Sequence, residues 1–199
     1  MIKISFSGIS GSGKTSLLNE VKKILSLKYK VDHVPEISGK NPFDNDKKST
    51  FTSQFFYLST QVNEENVHSI NPLEYLLCDR SILDQWIYWK CSILNKEFSE
   101  QLKIKNGILE DLYRFWIKTY DMIFLIRLDL KKLDTREFNK ELRKIDSQYI
   151  KTREKVYLKT IKEDNLNVVD IWNNNTIDES AQKIIQTISE YKHTAEVAE

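Results

Sequence analysis

Apolar positions in this chain follow two rhythms, one of period two or continuous and one of helical spacing. Ile4 and Phe6 fall on one face of a short strand over residues 2–7. After a glycine-rich loop, Leu17, Leu18, Val21, Ile24 and Leu25 recur at helical spacing and predict a helix over 16–29. A second strand follows over 31–35, then a polar loop over 39–46 around Pro42. Residues 51–67 predict a helix with Phe55, Leu58 and Val62 on one side. A short apolar strand over 75–78 ends at Asp79, and two helices are expected over 81–94 and 101–119. Residues 122–126 form a fourth apolar run, 131–164 a charged helical stretch, 167–171 a fifth strand and 178–192 a closing helix. Residues 193–199 lack apolar anchors and are expected to fray. Strands that are almost wholly apolar and alternate with helices imply a parallel sheet covered on both faces. The expectation is a three-layer α/β fold, a five-stranded parallel sheet with helices on both faces, as one domain over 1–199 with a helical lid segment at about 131–155.

Composition narrows this only a little. With 199 residues and 40% hydrophobic content, a full core needs neither disulfides nor a structural metal. Thirty basic and twenty-nine acidic residues leave a net charge of +1, so bulk charge does not announce a nucleic-acid binder. Cys78 and Cys91 belong to no C-x-x-C pair and are expected as buried free thiols. Reduced thiols and the lack of a signal-like start point to the cytoplasm, and no apolar run is long enough to span a membrane. Glycine is the informative residue. Only five occur, and Gly8, Gly11 and Gly13 lie within six positions.

Gly8 to Thr15 reads G-I-S-G-S-G-K-T and fills every defined position of G-x-x-x-x-G-K-[ST]. Phosphate oxygens need several backbone N–H groups turned into one concavity, and glycine keeps side chains out of it. Gly8, Ser10, Gly11, Ser12, Gly13, Lys14, Thr15 and Ser16 are the expected ATP-binding residues. The next helix adds its N-terminal N–H groups. Lys14 should reach the β- and γ-phosphates, and Thr15 should place its hydroxyl on Mg²⁺.

Guanine specificity would require N-K-x-D after a later strand. Asn95-Lys-Glu-Phe and Asn139-Lys-Glu-Leu both lack the aspartate. Asp79, at the end of an apolar strand, stands where a metal-holding carboxylate is expected, or one that takes a proton from the acceptor. Arg80 beside it has the planar fork that grips a phosphate. Asp84, one helical turn on, is placed to pair with Arg80, or to cap or orient a neighbour. Arg136, Arg143 and Arg153 occupy the lid segment, where arginines can close over a triphosphate and exclude water. Gln54 and Gln61 carry amides suited to a base edge. Phe55 and its neighbours Phe56, Tyr57, Trp86, Tyr88 and Trp89 are core by default, with one or two able to stack on a flat acceptor.

The order of these features is what carries a resemblance. A P-loop, Pro35-Glu36 after strand two, a Gln-bearing aromatic helix, Asp79-Arg80-Ser81 after strand three and a basic lid resemble the thymidylate kinase and deoxynucleoside kinase superfamily. The chain is also similar to the AAA branch that includes ribosylnicotinamide kinase and phage kinases acting on hydroxymethyluracil in DNA, whose lid resembles the stretch from Arg143 to Arg153. Thymidylate kinases usually carry an acidic residue within the P-loop, and Ile9 to Ser12 holds none. The resemblance implies transfer of the γ-phosphate of ATP to a nucleoside- or nucleotide-like acceptor, free or within modified DNA. Glu36 would be the catalytic base or the ligand of the acceptor hydroxyl, with Gln54, Phe55, Gln61 and Arg80 around the acceptor. A homodimer stays open, and so does a P-loop ATPase switch that gates a protein partner.

Overall fold

The strands are ordered by how much apolar surface each must hide. In the computed structural model, which describes residues 1–43, 50–127, 147–172 and 176–198, five strands form one sheet in the order β2-β3-β1-β4-β5. They are β1 (Ile2–Ser7), β2 (Val31–Val34), β3 (Tyr75–Asp79), β4 (Met122–Arg127) and β5 (Val168–Trp172), and every neighbouring pair is parallel. All five residues of β3 and five of the six in β4 are buried, so these strands flank β1 at the centre. The less buried β2 and β5 take the edges.

Alternation along each central strand sends side chains into two cores. Ile4, Phe6, Leu77, Met122, Phe124 and Ile126 meet Leu17, Leu18 and Val21 of α1 (Lys14–Leu25) and Ala181, Ile184 and Ile188 of α6 (Ile177–Ala198). On the other face, Leu76, Cys78, Ile123 and Leu125 meet α2 (Phe51–Ser69), α3 (Ile82–Ile93), α4 (Glu100–Trp116) and α5 (Ser147–Glu163). Short 3₁₀ turns at Ser38–Lys40 and Ile117–Thr119 lead into α2 and β4. Four helices start where the sequence offers a cap: Thr50, Ser81, Ser99 and Thr176 each accept a backbone N–H of the first turn.

Element boundaries differ modestly from the periodicity. The first helix begins at Lys14, because the N–H-rich end of the P-loop is itself the first turn. The last helix continues to Ala198 rather than fraying after 192, in keeping with the helix-forming Ala and Glu there. Cys78 is buried and Cys91 half-buried, and both are free thiols. The loop residues 44–46, the lid up to residue 146 and with it Arg136 and Arg143 lie outside the described residues. No described helix is long and apolar enough to cross a membrane.

The largest departure concerns α2. Phe55 is exposed, while Gln54, Leu58, Gln61 and Glu65 form the buried line. The cause is Lys3, which β1 places under the sheet with 7% exposure. Its ammonium meets Glu65 at 3.0 Å and lies over the rings of Trp116 and Tyr120. Glu65 also accepts from Gln61 Nε2 (2.8 Å), Trp116 Nε1 (2.7 Å) and the Tyr120 hydroxyl (2.5 Å). A buried pair broken on one side leaves an uncompensated charge. Glu65→Gln is therefore expected to lower the unfolding free energy by about 3 kcal/mol, seen as a lower urea midpoint with unchanged slope.

Candidate active site

The carboxyl ends of β1 and β3 lie side by side, and the chain leaves them toward opposite edges of the sheet. Such a switch in strand order opens a crevice where ligands bind in α/β sheets. The P-loop rises from β1 into it. Gly8, Gly11 and Gly13 have φ of 138°, 81° and 89°. A Cβ on Gly8 would stand 2.4 Å from the Ile126 carbonyl oxygen, so glycine is required there on both counts. Gly13 precedes α1 without a side-chain cap, which leaves the first N–H groups of the helix for an anion. Ser12 is buried within the loop, while Thr15 and Ser16 face outward from the first turn.

Lys14 is 4% exposed and donates to the Gly8 and Ile9 carbonyls at 2.9 and 2.8 Å. Burial first, and the nearby Arg80 charge second, lower its pKa to about 7. Thr15 Oγ1 donates to Asp79 Oδ2 at 2.5 Å. The other carboxylate oxygen of Asp79 is buried and has no hydrogen-bond partner among the described residues. A hydroxyl and a half-satisfied carboxylate in contact suit a hard cation that takes its remaining ligands from phosphate and water. Among the described residues no cluster of three or more His, Cys, Asp or Glu side chains makes an all-protein cage.

Arg80 has φ of 81°, a left-handed conformation that costs a non-glycine residue of order 1–3 kcal/mol. The turn is held by its N–H on the Phe6 carbonyl at 3.1 Å. It brings the guanidinium into the crevice at 5% exposure, with Nε 2.8 Å from Glu36 and Nη1 3.7 Å from Asp84 and 3.3 Å from the Tyr88 hydroxyl. Burial alone would lower the Arg80 pKa, but Tyr88, Glu36 and Asp84 together raise it. The two strand-end carboxylates are driven apart. For Glu36, burial is outweighed by Arg80 and by a hydrogen bond from Ser38, and its pKa falls. For Asp79, burial prevails over the Thr15 hydrogen bond and Lys14, and its pKa rises.

Asp84 proves to be the clamp of the site. Fully buried, it accepts the Gly8 N–H at 3.1 Å, the Ser81 N–H at 2.9 Å, the Ser81 hydroxyl at 3.0 Å and the Tyr157 hydroxyl at 2.7 Å. It thereby joins the P-loop, the β3–α3 turn and α5. Burial and Asp84 push the Tyr157 phenol well above its ordinary pKa, which keeps it a donor. From the lid segment, Arg153 reaches the site at 7% exposure. Its guanidinium carbon lies 3.7 Å from the centre of the Tyr88 ring and 3.8 Å from that of Tyr149. It also donates to the Tyr149 hydroxyl, while its Nε is buried without a partner among the described residues. Burial above all lowers its pKa.

The remaining expected residues separate. Gln54 is 3% exposed and its Oε1 has no partner. One turn later, Tyr57 donates to the Ser38 carbonyl, which sets this end of α2 beside the loop after Glu36. Phe55 stacks on Phe51 at the surface. Gln61 spends its Nε2 on Glu65, within the buried network around Lys3. Tyr149 and Tyr157 are not among the site residues expected from the sequence, and Tyr88 is expected only as core or as a ring able to stack on a flat acceptor. A signal existed: Ser81, Asp84 and Tyr88 share one helix face, and Tyr149, Arg153 and Tyr157 stand four residues apart.

This arrangement of sheet, P-loop and strand-end carboxylates is the fold of P-loop nucleoside and nucleotide kinases. A deoxyadenosine kinase from M. mycoides, solved with dCMP and a flexible dCDP, superposes with a TM-score of 0.73 at 19% identity, covering 95% of this chain and all of that one. The same enzyme with bound dCTP gives 0.71 at 18%. The thymidylate kinase from Candida albicans gives 0.62 at 18%, covering 96% and 92% of the two chains. Residues 3–179 match the model of an AAA domain family, and the chain belongs to that family. No curated protein sequence matches.

The Lys14 geometry has a measurable consequence. Above about pH 7 the ligand-free lysine is largely neutral, and a polyphosphate beside it restores the ammonium by proton uptake. Affinity for Mg²⁺·ADP is expected to fall as pH rises from about 7 to about 9, with no such slope from Lys14 below about 7. Calorimetry in buffers of different ionisation enthalpy reads the proton directly, and the uptake should vanish in Lys14→Met.

Proposed function

We infer that this protein is an ATP- and Mg²⁺-dependent phosphotransferase that moves the γ-phosphate to a nucleoside- or nucleotide-like acceptor. The observation that carries the reading is the Glu36–Arg80 pair at 2.8 Å beside the Thr15–Asp79 contact. A nucleotide-hydrolysing switch needs the second contact but has no use for the first. Gln54, buried with a free carbonyl oxygen next to the Glu36 loop, supplies the kind of group a flat polar acceptor would satisfy.

Each residue then has a physical task. The P-loop N–H groups and Lys14 hold the β- and γ-phosphates. Thr15 and Asp79 would hold Mg²⁺, which when bound would offset phosphate charge. Glu36, kept as a carboxylate by Arg80, positions the acceptor and can receive its proton. Arg80 and Arg153 stabilise charge on the phosphoryl group in transit. Arg143, in the lid, is assigned the same task. The transfer is nearly all positioning and electrostatics, so buried, pre-aimed cations are the main requirement. The acceptor is free or part of a polynucleotide, and the expected place of work is the cytoplasm.

ATP consumption is the test, measured with and without nucleosides, nucleotides, ribosylnicotinamide and hydroxymethyluracil-containing DNA. At least one acceptor should raise ADP release, and Lys14→Ala should abolish it with the melting temperature little changed. Brisk hydrolysis without acceptor, and no response to the panel, would replace this reading with an ATPase switch. Asp79→Asn is expected to lower kcat more than Glu36→Gln, and Mn²⁺ to change the Asp79 defect more than the Glu36 one. The Glu36 variant should instead lose most when acceptor concentration is varied. Equal metal sensitivity in the two variants would contradict this division of roles.

A further inference from the structure

Between Ser81 and Trp89 every residue of the chain is buried except Tyr88, which is half-buried and turned to the crevice. Its hydroxyl makes two contacts, with Ser10 Oγ in the P-loop at 2.9 Å and with Arg80 Nη1 at 3.3 Å. Its ring carries a third: the Arg153 guanidinium stacked at 3.7 Å, with Arg80 at 5.7 Å from the ring centre. One side chain thus touches the phosphate loop, the strained arginine after β3 and the arginine from the lid helix. Core packing does not account for this. A ring buried for hydrophobic reasons would not draw two like-charged guanidinium groups toward itself and the loop at once. Among the described residues nothing accepts the buried Nε–H of Arg153. Arg80 has Glu36 and Asp84 beside it, whereas Arg153, with an unspent donor on the same ring, is suited to an anion.

We propose that Tyr88 is a positioning residue that holds Arg153 by its ring and Arg80 and Ser10 by its hydroxyl, so that both guanidinium groups face the terminal phosphate of a bound triphosphate. The proposal rests on the P-loop being a nucleotide site, and it deepens that reading by assigning triphosphate recognition to a side chain that touches no substrate. The ring holds Arg153 by stacking, which fixes the plane of its fork. The hydroxyl ties that ring to the loop and to Arg80. ADP, lacking the terminal phosphate, gains little from this arrangement.

The test is the ratio of Kd for Mg²⁺·ADP to Kd for Mg²⁺·adenylyl imidodiphosphate, by calorimetry on the full chain. Wild type should favour the triphosphate analogue. Tyr88→Leu, which removes ring and hydroxyl, should lower the ratio about tenfold, and Tyr88→Phe, which keeps the ring, about threefold. In an Arg153→Ala background, Tyr88→Leu should lower the ratio further by only the smaller, Arg80-dependent share. A merely structural role predicts that both affinities fall together and the ratio stays put, and that result would overturn the proposal. So would a full Tyr88→Leu effect in the absence of Arg153. If Tyr88→Leu does not fold, Tyr88→Phe decides the matter, and a wild-type ratio overturns it. A wild type that binds neither nucleotide overturns the nucleotide reading and this proposal together, whereas normal binding with an unmoved ratio overturns this proposal alone.

Discussion

The carboxylate of Asp84 sits where three distant parts of the chain meet. It accepts from the N–H of Gly8, from both polar groups of Ser81 and from the Tyr157 hydroxyl. Gly8 cannot carry a side chain, since one would strike the Ile126 carbonyl, so the start of the P-loop has no side chain of its own to anchor it. The anchor is supplied by a buried acid from another element. The same acid closes the capping box of α3 and so fixes the turn from which Arg80 projects. An acid with all its contacts made inside the protein is a strong constraint, because each donor it releases would be left buried and unpaired.

Around that clamp the molecule accepts electrostatic cost. Lys14, Arg80 and Arg153 are each less than a tenth exposed. Burial depresses the pKa of Lys14 and of Arg153, and Arg80 adds to both shifts. Arg80 alone has close carboxylate partners, Glu36 and Asp84, and its backbone is strained as well. Crowded cations and a left-handed arginine do not stabilise a fold. They make sense as a site whose counter-charge arrives with a ligand, already aimed and needing no reorganisation when it does. The Tyr88 ring, flat enough to stack and tipped with a hydroxyl, links the arginine of the lid helix to the phosphate loop through Ser10.

Much of this was legible before any coordinates. The P-loop was fixed by its pattern, because no other residues satisfy the backbone and charge requirements at that spacing. Asp79 was legible as an acid ending an apolar strand, and Glu36 and Arg80 by their position at strand ends. The alternating strands and helices yielded the parallel sheet directly, since only a doubly covered sheet hides strands as apolar as β3 and β4. Helix α2 was the failure. Leu58 and Val62 lie on the packed side as expected, yet Phe55 is exposed, and Gln54, Gln61 and Glu65 share the buried line. Helical periodicity weighs residues one element at a time, and nothing within α2 announces that Lys3, more than sixty residues away, needs a buried partner.

The sequence by itself determined what is local: which segments are strands, where the phosphate loop lies and which acid follows which strand. These depend on backbone preference and on the periodicity of neighbouring residues, and both are written in consecutive positions. Tertiary structure alone decided which side chains face one another across elements. It made Asp84 a clamp, turned Tyr88 from a core aromatic into the contact between two arginines and Ser10, and gave Gln61 to Glu65 rather than leaving it open to an acceptor. The physical reason is that hydrogen bonds and stacking act over a few ångströms, and which groups come that close is set by the packing of whole helices on the sheet.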